Sequence, residues 1–234
     1  MPNELLFLIS LFVCFFGVLF SYKLFGKIGL FIWIGLSTII ANIEVLVVVD
    51  MFGLTCALGN VVYGSCFLIT DILNEKHGKA EALKAVWIGF FTMLVFTVLI
   101  QLTLLFTVNQ AQDFSSEAMH TLFDIMPRIC IVSLIAYLIS NTIDVYLFQF
   151  ISKLTKRKKL WLRNNIATIF SQIIDTIIFT FGAYLGIYSF EIMYQIIATA
   201  LILKFIVAVL DTPFLYFAKY KIDENKTWFK TKSK

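Results

Sequence analysis

Two aspartates sit in one repeated pattern. Ser140-Asn141-Thr142-Ile143-Asp144-Val145-Tyr146-Leu147-Phe148 and Ser171-Gln172-Ile173-Ile174-Asp175-Thr176-Ile177-Ile178-Phe179 both read Ser-amide-x-Ile-Asp-x-x-aliphatic-Phe, each inside a long apolar segment. A carboxylate within a bilayer costs at least about 2.5–3.5 kcal/mol on insertion scales, so such residues face a bundle interior and serve a site or pathway. Lys204 lies near the middle of a third apolar segment. At 1.5 Å per residue it is roughly 15–20 Å from the nearest interface, too deep for its stem to reach water. It needs a carboxylate partner, for which Asp144, Asp175 and Asp211 are the candidates. Acceptors balanced by one buried cation can grip a polar solute. Two carboxyls at similar depth can also share a proton and activate water.

The elements that must position these groups are membrane helices. The chain has 234 residues, 60% hydrophobic and only 15% charged, with a mean hydropathy of +0.89. A soluble domain is nearer half apolar and a quarter charged. Apolar runs of about 20 residues recur, without the short alternating strands of a barrel. The sequence predicts an all-α membrane protein, a polytopic helical bundle of seven transmembrane helices. The expected spans are Glu4–Tyr22, Ile28–Met51, Gly59–Leu73, Leu83–Val108, Pro127–Ile151, Asn165–Ile187 and Ile192–Phe214. The first is a span rather than a signal peptide, because no basic stretch precedes its apolar run.

Seventeen of the nineteen basic residues fall in alternate loops and the tail, and the intervening loops hold none. The positive-inside rule then places the N-terminus outside and the C-terminus in the cytoplasm. This accounts for the formal charge of +4 without a nucleic-acid partner. The two basic residues left over are Lys204 and Arg128, the latter just inside the outer end of the fifth span.

Polar residues form stripes along the predicted helices. Ser133, Tyr137, Ser140, Asn141 and Asp144 share one helical face, as do Thr168, Ser171, Gln172, Asp175 and Thr176. The second span adds Asn42 and Glu44 near mid-depth. Lys204 and Asp211, seven residues apart, share a face of the last. The third span is short, with a Gly-rich approach (Gly53, Gly59, Gly64), and such Gly-interrupted segments mark the binding region in transporters. It ends in Thr70-Asp71-Ile72-Leu73-Asn74-Glu75-Lys76-His77-Gly78-Lys79, with Gly78 expected near the C-cap.

These motifs resemble a known family. The Thr70–Gly78 run, Pro127-Arg128, Asp144-Val145, Leu160-Trp161-Leu162-Arg163-Asn164-Asn165, Ser171-Gln172-Ile173-Ile174-Asp175-Thr176, and Lys204 before Pro213 are similar to the queuosine precursor transporters. That is the YhhQ family of the vitamin uptake transporter group. The resemblance covers about Ile28 to Phe214 and implies uptake of 7-deazaguanine bases (preQ0, preQ1 or queuine) for tRNA modification, across the bacterial cell (inner) membrane. It implies a six-helix core, residues 28–215, with an added N-terminal helix, 1–27, and a basic cytoplasmic tail, 216–234. The chain departs from the pattern at Asn141, where Gln is expected.

A deazaguanine offers a ring N–H and an exocyclic amine to a carboxylate, a carbonyl to a cation or amide, and flat faces to aromatic rings. The expected substrate-binding residues are therefore Asn42, Glu44, Phe67, Asp71, Glu75, Arg128, Asn141, Asp144, Gln172, Asp175 and Lys204. Phe179 is a further stacking candidate. The sequence has no Gly-x-x-x-x-Gly-Lys-Ser/Thr, so the chain does not itself hydrolyse ATP. No metal-ligand spacing occurs, and no cofactor is expected. It works alone, as a homo-oligomer, or with a separate energising module. Alternatives are a substrate-capturing subunit for another small vitamin or nucleobase and, more remotely, an intramembrane aspartyl protease. The Gly-x-Gly-Asp of such proteases is missing before both aspartates.

Overall fold

The computed structural model describes residues 2–51, 53–109, 114–124, 126–186 and 189–223. The helices are α1 (Asn3–Phe25), α2 (Lys27–Glu44), α3 (Asn60–Lys76), α4 (Lys79–Leu104), α5 (Ser116–Phe123), α6 (Met126–Leu154), α7 (Leu160–Tyr184) and α8 (Phe190–Lys221). Between α2 and α3 lies an antiparallel hairpin, β1 (Val48–Met51) with β2 (Leu54–Ala57), pairing Val48 with Ala57 and Met51 with Leu54. The expected helix from Ile28 to Met51 thus stops at Glu44. The β-branched run Val47, Val48, Val49 disfavours helix, and Gly53, at φ +73°, makes the turn.

Among the described residues six helices are long and apolar enough to cross a membrane: all but α3 and α5. Helix α3 has 17 residues, about 26 Å against the roughly 30 Å of a hydrocarbon core. It is also the hub of the molecule, packing against α1, α2, α4, α6 and α8. Thirteen of its residues are buried, among them Ser65, Thr70, Asp71 and Asn74. Encasement lets so polar a helix occupy the centre of a bundle whose outer faces carry Phe16, Phe20, Phe91, Leu99, Phe150, Phe170 and Phe205.

The hydropathy boundaries missed the polar first turns. Helix α7 begins at Leu160, five residues before the expected Asn165, and α8 runs on to Lys221, seven beyond Phe214. Pro213 lies inside α8. Gly26 (φ +62°) separates α1 from α2, and Gly78 (φ +88°) separates α3 from α4.

One end of the bundle is tied by ionic contacts. Lys27 pairs with Glu81 at 3.0 Å, and Tyr22 Oη meets His77 Nε2 at 3.2 Å. Lys76 Nζ donates to the Ala218 carbonyl at 3.1 Å, and Lys219 pairs with Glu75 at 2.8 Å. At the opposite end Asn3 donates to the Asp50 carbonyl. Helix α1 is integral to the packing, burying Phe7, Leu11, Phe15, Val18 and Tyr22.

Candidate functional site

The long helices α6 and α7 pack together and bring their polar stripes face to face. The centre is Asp175, on α7. Its Oδ1 accepts from Tyr63 Oη at 2.6 Å and from Ser140 Oγ at 3.1 Å. Its Oδ2 accepts from Lys204 Nζ at 2.7 Å. Lys204 also donates to Thr176 Oγ1 at 3.0 Å and lies 5.5 Å from the centre of the Tyr63 ring. Both members of the ion pair are buried. Four helices supply the group: α3 (Tyr63), α6 (Ser140), α7 (Asp175, Thr176) and α8 (Lys204). The stranded lysine thus finds its carboxylate in Asp175.

Around this pair several polar atoms have no partner. Asn141 and Gln172 are buried, and their side-chain carbonyl oxygens accept nothing, nor does the Tyr137 hydroxyl find a partner. Tyr137 is edge-on to Tyr63 at 6.2 Å, and Tyr63 edge-on to Phe67 at 5.6 Å. Buried polar groups without partners are costly; Asn141 follows Ser140 on α6, Gln172 lies one turn before Asp175 on α7, and Tyr137 packs on the Tyr63 ring. The arrangement can take a flat, polar solute that replaces the internal contacts with its own.

Asp144 does not join the Asp175–Lys204 pair. Its Oδ1 accepts from Ser171 Oγ at 3.1 Å, and Ser171 Oγ also donates to the Thr168 carbonyl at 3.0 Å. Asp71 in turn accepts from Thr168 Oγ1 at 3.3 Å. Asp211, on α8, accepts at its Oδ1 from Asn164 Nδ2 at 2.8 Å, and Asn164, one turn before Thr168 on α7, also donates to Thr212 Oγ1 at 3.2 Å. The expected three-residue unit of Asp144, Asp175 and Lys204 is therefore split over two layers. The reason is the antiparallel packing of α6 and α7, which sets each serine against the aspartate of the other motif.

The remaining candidates are dispersed. Glu75 pairs with Arg163 and Lys219 at the ionic end. Arg128 is exposed and donates to the Gly182 and Leu185 carbonyls, closing α6 onto the end of α7. Asn42 Nδ2 bonds back to the Thr38 carbonyl of its own helix. Glu44 is half-buried at the end of α2. Phe179 stands against Tyr184, 5.9 Å away and beyond the centre. A separate apolar groove of about 630 Å³ between α1 and α8, lined by Phe16, Phe20, Pro213 and Phe217, holds none of these residues.

The sequence did not single out Tyr63, Arg163 or Asn164 as site residues. Arg163 looks like one more cation of the basic loop, yet it is fully buried, donating to Ser152 Oγ at 3.2 Å and lying over the Phe148 ring. Tyr63, four residues before Phe67 on a short buried helix, carried a signal only in that spacing.

The chain is similar to known proteins over most of its length. The family model described as "Putative vitamin uptake transporter" matches residues 57–218, which includes both aspartate motifs, Tyr63 and Lys204. A protein of Bacillus subtilis (strain 168) named "Probable queuosine precursor transporter" is 45% identical over 210 residues, 89% of this chain and 91% of the relative. The "Queuosine precursor transporter" of Escherichia coli (strain K12) is 26% identical over 144 residues, 62% of each chain. A Haemophilus influenzae protein, also named "Probable queuosine precursor transporter", is 28% identical over 121 residues, 52% of this chain and 48% of its own. No solved structure matches the chain.

Proposed function

We propose that this chain, which belongs to the putative vitamin uptake transporter family, takes up queuosine precursors, and that it recognises them as 7-deazaguanine bases such as preQ0, preQ1 or queuine. It is a transporter and not an enzyme, and a multi-pass protein of the bacterial inner membrane.

The observation that carries the substrate proposal is the Asp175 centre. Its carboxylate is engaged by Tyr63, Ser140 and Lys204, beside the unpartnered oxygens of Asn141 and Gln172. A deazaguanine presents two adjacent donors, the ring N–H and the exocyclic amine, and a carbonyl next to them. Asp175 exchanges Lys204 and Tyr63 for the two donors. The released ammonium and hydroxyl then turn to the carbonyl, and Phe67 covers a face of the ring. Gln172 and Asn141 accept the remaining N–H groups.

The topology proposed is seven passes with the N-terminus outside and the C-terminus in the cytoplasm, α3 being the short buried pass. Helix ends carrying Lys23, Lys27, Lys76, Lys79, Lys153 and Lys219 all belong to the side with the basic loops, which supports it. Residues 28–215 are assigned to the transport core, 1–27 to an additional helix and 216–234 to a basic tail, of which 224–234 lie outside the described residues.

The test is uptake complementation. Cells unable to make preQ0 and lacking their own carrier are given each base at low concentration, and queuosine is scored in their tRNA. Expression of this chain should restore queuosine from at least one base. Salvage of none of the three would overturn the substrate assignment.

A further inference from the structure

We propose that the buried Asp71–Asp144–Asp211 cluster is a proton-binding site, separate from the Asp175 centre, that couples movement of the base to a proton gradient. This rests on the transport function proposed above and adds its energy source.

The cluster is built from three helices and is closed to solvent. Asp71 (α3) and Asp144 (α6) are fully buried, and Asp211 (α8) is 1% exposed. Asp71 and Asp144 are joined through one turn of α7: Asp71 accepts from Thr168 Oγ1 at 3.3 Å, Asp144 accepts from Ser171 Oγ at 3.1 Å, and Ser171 Oγ lies 3.0 Å from the Thr168 carbonyl. A carboxyl buried among neutral donors, with no cation bonded to it, takes up a proton rather than stay ionised.

A second observation concerns donors and acceptors. One oxygen of each carboxyl, Asp71 Oδ1, Asp144 Oδ2 and Asp211 Oδ2, has no side-chain or backbone donor. Asn164 on α7, also fully buried, is held in the cluster by its Nδ2 bond to Asp211, and its Oδ1 is unpartnered as well. Four buried acceptors of this group thus lack donors.

Charge points the same way. The groups facing the cluster are Asp71 and Glu75 on α3, Asp144 on α6, Arg163 on α7, and Asp211 and Lys219 on α8. Arg163 and Lys219 are both committed to Glu75, and among the remaining carboxyls Thr168, Ser171 and Asn164 supply only neutral donors. Four carboxyls against two cations leave two negative charges in the interior, which protons neutralise. Among the described residues no three acidic, His or Cys side chains converge as metal ligands do, so a proton suits the group better than a metal ion.

The route of coupling is short. Asp144 shares its stripe with Ser140, which touches Asp175, and Asp175 shares its stripe with Ser171, which touches Asp144. When a base draws Asp175 away from its internal partners, α6 and α7 shift against each other and the Ser171–Asp144 and Thr168–Asp71 bonds change with them. Coupling of this kind is reciprocal, so proton binding must alter base affinity equally.

The test uses the full chain in proteoliposomes, with membrane potential clamped at zero and the neutral base preQ0 as probe. Counterflow exchange without any gradient tests the substrate assignment by itself. An inside-alkaline gradient of one pH unit should then concentrate preQ0 about tenfold, since a pH unit and a tenfold concentration ratio are the same free energy. A sodium gradient should have no such effect. Asp71→Asn and Asp144→Asn should lose the pH-driven concentration. Infrared spectroscopy of the wild-type protein without substrate supplies a readout that needs neither transport nor a folded variant. A protonated-carboxyl band should appear at neutral pH and shift when aspartate labelled with carbon-13 at its side-chain carboxyl is incorporated. Counterflow that does not respond to a pH gradient, accumulation driven by sodium instead, or the absence of a labelled carboxyl band would each overturn the proposal. Failure of counterflow with the labelled band present would sink the substrate assignment and leave the protonated site standing.

Discussion

Ser140 on α6 donates to the Asp175 carboxylate on α7 at 3.1 Å. The corresponding serine of the other motif, Ser171, donates to Asp144 over the same distance. The two Ser-amide-x-Ile-Asp segments are thus crossed, each serine serving the aspartate of the other. Two antiparallel helices carrying the same motif generate this pairing because Ser and Asp, four residues apart, lie one above the other on one face.

Double-mutant cycles test the crossing. Ser140→Ala combined with Asp175→Asn should show a coupling on the order of 0.5–1 kcal/mol in thermal unfolding, and Ser140→Ala with Asp144→Asn should be additive, although that serine and aspartate share a motif. Coupling only within each motif would refute the observed register.

Lys204 and Asp175 form a buried ion pair, so removing one partner strands a charge. Lys204→Met should cost about 3–5 kcal/mol of stability. The double variant Lys204→Met with Asp175→Asn should recover most of the lost melting temperature in detergent without recovering transport. A double variant no more stable than Lys204→Met would show that the pair is not what the lysine's burial depends on.

Glu75 holds Arg163 and Lys219 together at the ionic end of the bundle. Glu75→Gln leaves a fully buried guanidinium without its carboxylate, and about 3–5 kcal/mol should be lost. Arg163→Lys should also destabilise, because an ammonium cannot reproduce the contacts with Glu75, Ser152 and the Phe148 ring together. Wild-type melting temperatures for both variants would contradict this.

Gly59 stands where the start of α3 meets the end of α2. A Cβ there would lie 2.5 Å from the Ala41 carbonyl oxygen, a backbone atom that cannot turn aside. Gly59→Ala should therefore lower stability by about 1–3 kcal/mol. Gly35→Ala, whose nearest neighbour is the movable Thr92 side chain at 3.1 Å, should cost less. Equal effects on melting temperature would contradict the close approach.

The sequence made the apolar cores of the spans legible, along with the stranded lysine and the two buried aspartates, because bilayer insertion penalises every charge that lacks a purpose. Its limits are equally physical. Arg163 was hidden among the loop cations, since the positive-inside rule counts charges without knowing which are buried. The strand Val48–Met51 was absorbed into a predicted helix because hydropathy carries no information on backbone geometry. Asp144 and Asp175 were expected in one unit because depth along two helices does not specify which neighbour each side chain meets. Tyr63 lacks charge and hence the signal that found its partners, though its hydroxyl makes the 2.6 Å contact to Asp175.

The central claim is that Asp175 grips the base, and equilibrium binding of preQ0, preQ1 and queuine to the purified full chain tests it most directly. Wild type should bind at least one of them. Asp175→Asn, folded by the criterion of its melting curve, should weaken that binding roughly 10- to 100-fold, since hydrogen bonds to a charged group contribute about 1.5–3 kcal/mol. Asp124→Asn, outside the centre and exposed, should bind as wild type. Undiminished binding by a folded Asp175→Asn variant would contradict the account.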